Sequence, residues 1–330
     1  MKKIKIAQIG TSAYSHGKFI FESLKKQSDI FDIVGYALPE HERKKFPNQC
    51  TAFNGYREMT VDEIMNDDTI EAVAIETEEI YLTEYALLAA RHNKHIHLEK
   101  PGGIVADDFE KLICEMKSSG KVFHTGYMYR YNPEIIKLKE RIKNGELGEL
   151  ISIEAQMSCS EPDDLKKWLA DFPGGMMFFL GCHLVDLTLQ LMGKPLKIIP
   201  LNHSTGTVKT YSSDFGMAVF EYDRGYSLVK TCAAEIGGYA RRQLVVSGSK
   251  ATVEIKPLEM FCEGGQYTET RIYNSQRWDD LGTSERSALY DRYDDMMRAF
   301  ATYVADPKTE NPYTLDYELY LYKTLLECCR

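Results

Sequence analysis

The sequence predicts an α/β chain: a doubly wound parallel sheet over residues 1–125, then an α+β domain over 126–330 with an open, mainly antiparallel sheet. Two observations carry this. Short apolar strands alternate with helix-period segments through the first third, as parallel βαβ units require. After Tyr131-Asn132-Pro133 the pattern changes to period-two segments divided by turn residues, as hairpins require. A chain of 330 residues has room for both domains at roughly 100–200 residues each.

The elements follow in order. Ile4–Ile9 is a first strand ended by Gly10, and Gly17–Lys26 places Phe19, Ile20 and Leu24 at helical spacing. Residues 32–38 form a second strand closed by Pro39, and 61–65 a short helix with Thr60 as its N-cap. Ala72–Ile75 is a buried strand, 81–91 an amphipathic helix and His95–Leu98 the next strand. A helix over 107–119 stops at Gly120, and 122–124 is the fifth strand. In the second domain Pro133 opens a helix that runs to Lys143. Strands are expected at 151–157, 217–222, 226–233, 242–247 and 252–255, with turns at 223–225 and 247–250. One helix is expected over 176–192, with Gly193 at its end, and one or two more within 284–304 and 316–329.

Composition excludes some functions. A net charge of -9 argues against a general nucleic-acid binder or an anionic membrane surface. The basic start ends its apolar run at Gly10, too short for a signal segment, and no apolar stretch reaches bilayer length. A cytoplasmic protein is expected. The 8 cysteines form no Cys-x-x-Cys pair, so they are expected as reduced thiols rather than disulfides or zinc ligands.

Candidate chemistry gathers at strand ends. His95–Leu98 runs into Glu99-Lys100-Pro101-Gly102-Gly103, and proline biases Lys100 towards an extended conformation. Ligands of open parallel sheets sit at the carboxyl ends of the strands, so Lys100 is placed to polarise a carbonyl or steady an alkoxide. The turn Gly10-Thr11-Ser12-Ala13-Tyr14-Ser15 keeps the first glycine of a dinucleotide fingerprint and has serine at the second and third positions. Gly10, Thr11, Ser12 and Ala13 are its cofactor candidates. Leu38 stands where an acid usually holds the adenosine ribose, and Arg43 with nearby lysines tilts the expectation from NAD towards NADP. At the next strand end Thr77 and Glu79, within the acidic cluster of Glu76, Glu78 and Glu79, are candidates for the nicotinamide ribose. Glu99 shares one strand face with His95 and His97. That face reads as a buried strand, and no metal is assigned. His183 and Asp186 lie three apart on one helix face, where the carboxylate would orient the imidazole. Trp168 is a substrate wall or a loop aromatic.

The ordered set of degenerate glycine turn, His97-Leu98-Glu99-Lys100-Pro101, Gly126 to Pro133, Gly145-Glu146-Leu147-Gly148 and Gly181-Cys182-His183-Leu184-Val185-Asp186 resembles the Gfo/Idh/MocA oxidoreductases over nearly the whole chain. The resemblance implies a Rossmann domain that binds NAD(P), with Glu99 and Lys100 beside the cofactor. It also implies a second domain whose open sheet often serves oligomerisation, here as a homo-oligomer (dimer or tetramer). Lys100 matches the family's catalytic lysine and His183 its catalytic histidine. Tyr127 and Arg130 match the aromatic–arginine segment lining the substrate cleft, and the implied partner is a small sugar or cyclitol. The chain departs from the family at Glu78, Leu169 and Phe179, where relatives often carry other groups. Two alternatives stand beside hydride transfer at a CH–OH carbon: a cofactor- or sugar-binding regulatory protein without turnover, and an NAD-dependent glycoside-cleaving relative.

Overall fold

A computed structural model describes residues 2–209 and 211–330. The chain forms two compact units, Met1–Met128 with Arg292–Tyr322 and Tyr129–Asp291 with Lys323–Arg330.

The first unit contains β1 (Ile4–Ile9), α1 (Gly17–Lys26), β2 (Phe31–Ala37), α2 (Glu42–Lys45) and α3 (Val61–Asn66). It continues with β3 (Ala72–Ile75), α4 (Leu82–Arg91), β4 (His95–Leu98), α5 (Ala106–Ser119) and β5 (Phe123–Thr125). All five strands are parallel, in the order β2-β1-β3-β4-β5. An isolated parallel bridge between Tyr36 and Glu58 lies beside β2. Counting it as a one-residue outer strand completes the dinucleotide-binding order, whose crevice opens at the carboxyl ends of the central strands. Every residue of β3 is buried, as expected for a strand covered on both faces. Thr60 and Glu63 close a capping box on α3, satisfying two N–H groups that the helix start leaves open.

The second unit contains α6 (Pro133–Lys143), β6 (Leu150–Ser158), α7 (Asp163–Trp168) and α8 (Cys182–Met192). Then come β7 (Lys197–Pro200), β8 (Phe215–Tyr222), β9 (Gly225–Cys232), β10 (Gln243–Gly248) and β11 (Thr252–Ile255), the hairpin β12 (Met260–Cys262) and β13 (Gly265–Tyr267), β14 (Glu269–Tyr273) and β15 (Thr283–Arg286). Eight strands make one sheet in the order β15-β14-β11-β10-β6-β9-β8-β7. Each neighbouring pair is antiparallel except β6 with β9. Leu244 and Val246, Val253 and Ile255, Ala218 and Phe220 alternate inward along their strands, and α8 packs on β6 and β9. Asn132 caps α6 by accepting the N–H groups of Glu134 and Ile135. Its amide also donates to Leu258 O, Thr268 Oγ1 and Tyr290 Oη, tying the helix start to the sheet.

Three expectations differ from the structure. The segment 284–304 is not one helix: Thr283–Arg286 pairs with β14 as an exposed edge strand held by Arg286 on Glu269, and the helix α9 spans Asp294–Ala305. The helix over 176–192 begins as a π-type segment, Met177–Gly181, before α8. The single boundary after residue 125 also misses a return of the chain. Helix α9 and most of α10 (Leu315–Cys328) belong to the first unit, where α9 packs on α1 and β1. Asp294 there accepts the Ser23 hydroxyl at 2.7 Å.

Candidate active site

Gly10 must be glycine. Its φ is +84°, and a Cβ there would lie 2.3 Å from Thr77 Cγ2 and 2.7 Å from Thr77 Cα. The two serines that replace glycines hold the turn reciprocally. Ser12 N–H donates to Ser15 Oγ at 2.9 Å, Ser15 N–H donates to Ser12 Oγ at 2.8 Å, and Ser15 Oγ donates to the Glu76 carbonyl at 3.1 Å. Thr11 and Ser12 are buried and Ala13 is exposed. The turn leads into α1, whose N-cap residue His16 makes no side-chain cap, while the Gly17 N–H donates to Ser15 Oγ at 3.3 Å. A helix start behind a glycine turn suits a phosphate.

The acid missing at Leu38 comes from further along. Leu38 packs against the cluster of Phe21, Tyr36, Cys50, Ala52 and Phe53. Glu42, on the one-turn helix α2, is buried and accepts the Thr11 N–H at 3.1 Å, while its other oxygen has no partner among the described residues. Burial pushes its carboxyl up to about 9. Sequence reading missed Glu42, whose only signal was an acid four residues past the strand end. Arg43 donates to Glu58 at 3.3 Å and to Tyr36 Oη at 2.9 Å, and Lys45 pairs with Glu78 at 2.7 Å. Two of the basic groups that suggested a ribose phosphate, Arg43 and Lys45, thus have carboxylate partners.

Lys100 is 2% exposed, and its Nζ lies 3.5 Å from Glu99 Oε1. The peptide bond to Pro101 is cis. The loop beyond is held from two sides: Thr83 Oγ1 donates to the Gly102 carbonyl at 2.6 Å and Tyr322 Oη to the Gly103 carbonyl at 3.0 Å. Glu79 is buried with neither carboxylate oxygen hydrogen-bonded among the described residues. Burial raises it to about 7, against the opposing pull of Lys100. Thr77 is buried beside it and donates to the Glu78 carbonyl at 3.3 Å. Tyr127 is buried just beyond β5. A glycine turn leading into a helix start and two buried carboxyls with open oxygens, Glu42 and Glu79, fit a ligand carrying both phosphate and ribose hydroxyls.

In the second unit His183 is buried in the first turn of α8, and the Tyr129 ring meets it edge-on at 5.0 Å. Asp186 was expected to orient that imidazole. Its two oxygens instead take Arg130 as a fork, at 3.0 and 2.9 Å, and Oδ2 also accepts Gln190 Nε2 at 2.6 Å. Arg130 is thereby committed to a buried carboxylate. Tyr129 Oη donates to Glu259 at 2.5 Å, and Arg242 pairs with the same carboxylate at 2.8 Å. Trp168 is half-buried, edge-on to Phe172 at 4.4 Å and to Phe179 at 5.2 Å, so the departure at Phe179 completes an aromatic cluster. Among the described residues no group of three or more histidine, cysteine, aspartate and glutamate side chains could hold a metal ion, and no helix is long and apolar enough to cross a membrane.

These two units are those of a known enzyme class. Residues 4–127 match the model of the oxidoreductase family with an NAD-binding Rossmann fold, and residues 135–254 match the GFO/IDH/MocA C-terminal domain. The chain belongs to the GFO/IDH/MocA oxidoreductase family, whose members here are named dehydrogenases and reductases. It is 22% identical over 261 residues to the myo-inositol 2-dehydrogenase of Thermotoga maritima, covering 76% of this chain and 73% of that protein. It is 26% identical over 199 residues to the scyllo-inositol 2-dehydrogenase (NADP(+)) IolW of Bacillus subtilis, covering 59% of this chain and 54% of that protein. The match thus spans only about half the length of that second relative. Among solved structures it is similar to KijD10, a 3-ketoreductase from Actinomadura kijaniata in complex with NADP and TDP-benzene (15% identity, 98% of this chain and 96% of that one, TM-score 0.81). An oxidoreductase from Thermotoga maritima is similarly close (16% identity, 100% and 96%, TM-score 0.79). At these identities the structural likeness is one of fold.

Proposed function

We propose that the protein moves a hydride between a nicotinamide dinucleotide and a CH–OH carbon of a sugar or cyclitol. The observation that carries this is Lys100: a buried ammonium fixed at the carboxyl end of β4, on the sheet edge where such folds take their ligands. The inositol dehydrogenases among its relatives support the substrate class.

Gly10, Thr11 and Ser12 would take the pyrophosphate, Glu42 the adenosine ribose, and Thr77, Glu79 and Glu99 the nicotinamide end. The cofactor supplies the hydride acceptor. Lys100 stabilises negative charge as it develops on the substrate oxygen, and His183 is the acid–base group that holds or releases the hydroxyl proton. Tyr127, Arg130, Trp168 and Asp186 belong to the substrate side of this reading, Arg130 and Asp186 as a closed pair that shapes the wall. A buried carboxyl at the adenosine ribose, with Arg43 tied to Glu58 and Lys45 to Glu78, favours NAD over NADP. The reduced-cofactor absorbance, followed across a panel of inositols and aldoses, tests turnover. Oxidation of at least one polyol that is lost in Lys100→Met is the expected result. Cofactor binding with no turnover on any polyol points to the binding-only alternative, which the closed Arg130–Asp186 pair favours.

A further inference from the structure

Behind Lys100, and reaching it through Glu99, lies a buried set of titratable groups that includes Glu76, His97 and His124, to which hydride transfer assigns no role. Glu76 follows β3 and Glu99 follows β4, side by side at the ends of adjacent strands, with Glu99 N–H donating to the Ile75 carbonyl at 3.0 Å. Both carboxyls are fully buried. Among the described residues, neither oxygen of Glu76 and not Oε1 of Glu99 has a hydrogen-bond partner. Two neighbouring ionised carboxylates have no donor to offer each other and repel; a single proton between them supplies the donor and removes the repulsion. The surroundings place that proton on Glu76. Burial and the Glu99 charge raise Glu76 well above the usual carboxylate range. Burial opposes ionisation of Glu99 as well, but His16, at 3.1 Å from Oε2, and Lys100 hold it below that range.

The next layer is ready to receive a charge on Glu76. His97 Nε2 lies 3.5 Å from Glu76 Oε1, and His97 Nδ1 lies 2.7 Å from His124 Nδ1. Burial lowers His97 to about 4, so the ring is neutral at pH 7. The tautomer that satisfies both contacts has His124 donating to His97 Nδ1 and the Nε2–H of His97 aimed at Glu76. The other charged groups facing this cluster are Glu79, from the loop after β3, and Arg292, which acts on His16. From α9 come Phe300, stacked on His124 at 5.4 Å, and Tyr303, whose ring lies 6.2 Å from the same imidazole.

We propose that Glu76 and Glu99 are a proton-sharing pair that surrenders its proton when the oxidised nicotinamide cofactor binds and keeps it when the reduced cofactor binds. The inference rests on the cofactor reading above. Glu99 and Lys100 already cancel one another. The oxidised ring brings a positive charge that the reduced ring lacks, and a second carboxylate balances it. Glu76 is the source, because it holds the pair's proton and a lysine ordinarily keeps its own to ~10.4. Oxidation of a CH–OH group then breaks its C–H and O–H bonds and forms C=O. The hydride goes to the ring and cancels its positive charge, the hydroxyl proton leaves through His183, and the emptied pair takes one proton back from solvent.

Calorimetric titration near pH 8, where Glu79 is mostly ionised, tests this in two buffers of different ionisation enthalpy. NAD is expected to release about one proton per site and NADH close to none. Glu76→Gln is expected to bind NAD without that release, whereas Glu79→Gln retains most of it. The wild-type contrast between NAD and NADH needs no variant, so it stands even if Glu76→Gln folds poorly. Equal proton release by both cofactors, no release with NAD, or release that survives Glu76→Gln and vanishes in Lys100→Met overturns the proposal. Failure of either cofactor to bind removes the cofactor reading itself, a different result from binding without proton release.

Discussion

Both units bury charge, and they treat it in opposite ways. In the second unit two buried guanidinium groups close on buried carboxylates: Arg130 forks onto Asp186, and Arg242 pairs with Glu259. In the first unit Glu42, Glu76, Glu79 and Glu99 are equally buried, yet each leaves at least one oxygen without a hydrogen bond among the described residues. An unsatisfied buried polar atom costs about 1–3 kcal/mol, so four in one neighbourhood suggest a place where something else completes the bonding.

The largest effect that would test this contrast is on chemistry. Lys100→Met is expected to lower turnover roughly 10³-fold while cofactor affinity changes little, because the missing charge acts on the reacting oxygen. Steady-state rates beside fluorescence titration with reduced cofactor read both quantities; a parallel loss of affinity would make Lys100 a mere binding contact. Next in size is the closed pair. Asp186→Ala removes the carboxylate onto which the buried Arg130 guanidinium forks, and is expected to cost about 3–5 kcal/mol in denaturant unfolding. Glu79→Gln removes an open carboxyl and is expected to change stability by less than about 1 kcal/mol. Similar costs for the two variants would erase the distinction between the units.

Acid sensitivity comes third. His97 is held near 4 when folded and returns to an ordinary value near 6.5 when unfolded. The unfolded chain therefore binds more protons between those values, so stability falls as pH drops from about 6.5 to 4, by up to about 3 kcal/mol. His97→Gln should flatten that slope in unfolding curves taken across the range. Glu42 acts in the opposite sense. Its folded value near 9 lies above its unfolded one, so its contribution is lost as pH rises through 9. The smallest effect expected is on cofactor choice: Glu42→Ala should weaken NAD about tenfold and narrow the preference for NAD over NADP. A variant that binds both cofactors as the wild type does would take Glu42 out of the ribose site.

Much of this was legible in the residues. The five parallel strands appear as short apolar runs because both faces of the sheet are covered, and Gly10 and Lys100 stand at strand ends that the alternation alone locates. The rest depends on partners that periodicity does not encode. Helix α9 shows an apolar stripe, but nothing in the stripe names α1 and β1 as its cover. Strand β15 is exposed at all four residues, so no alternation betrays it. Glu42 reaches Thr11 across 31 positions through a helix of one turn. Asp186 sits at the right spacing to serve His183, yet the guanidinium of Arg130, 56 positions earlier, claims its oxygens.

The most direct test is a crystal structure of the protein grown with NAD. The account predicts that the dinucleotide lies along the carboxyl ends of β1, β3 and β4, with ribose hydroxyls on Glu42 and Glu79. A dinucleotide seated elsewhere, with those two carboxyls as bare as before, would contradict it.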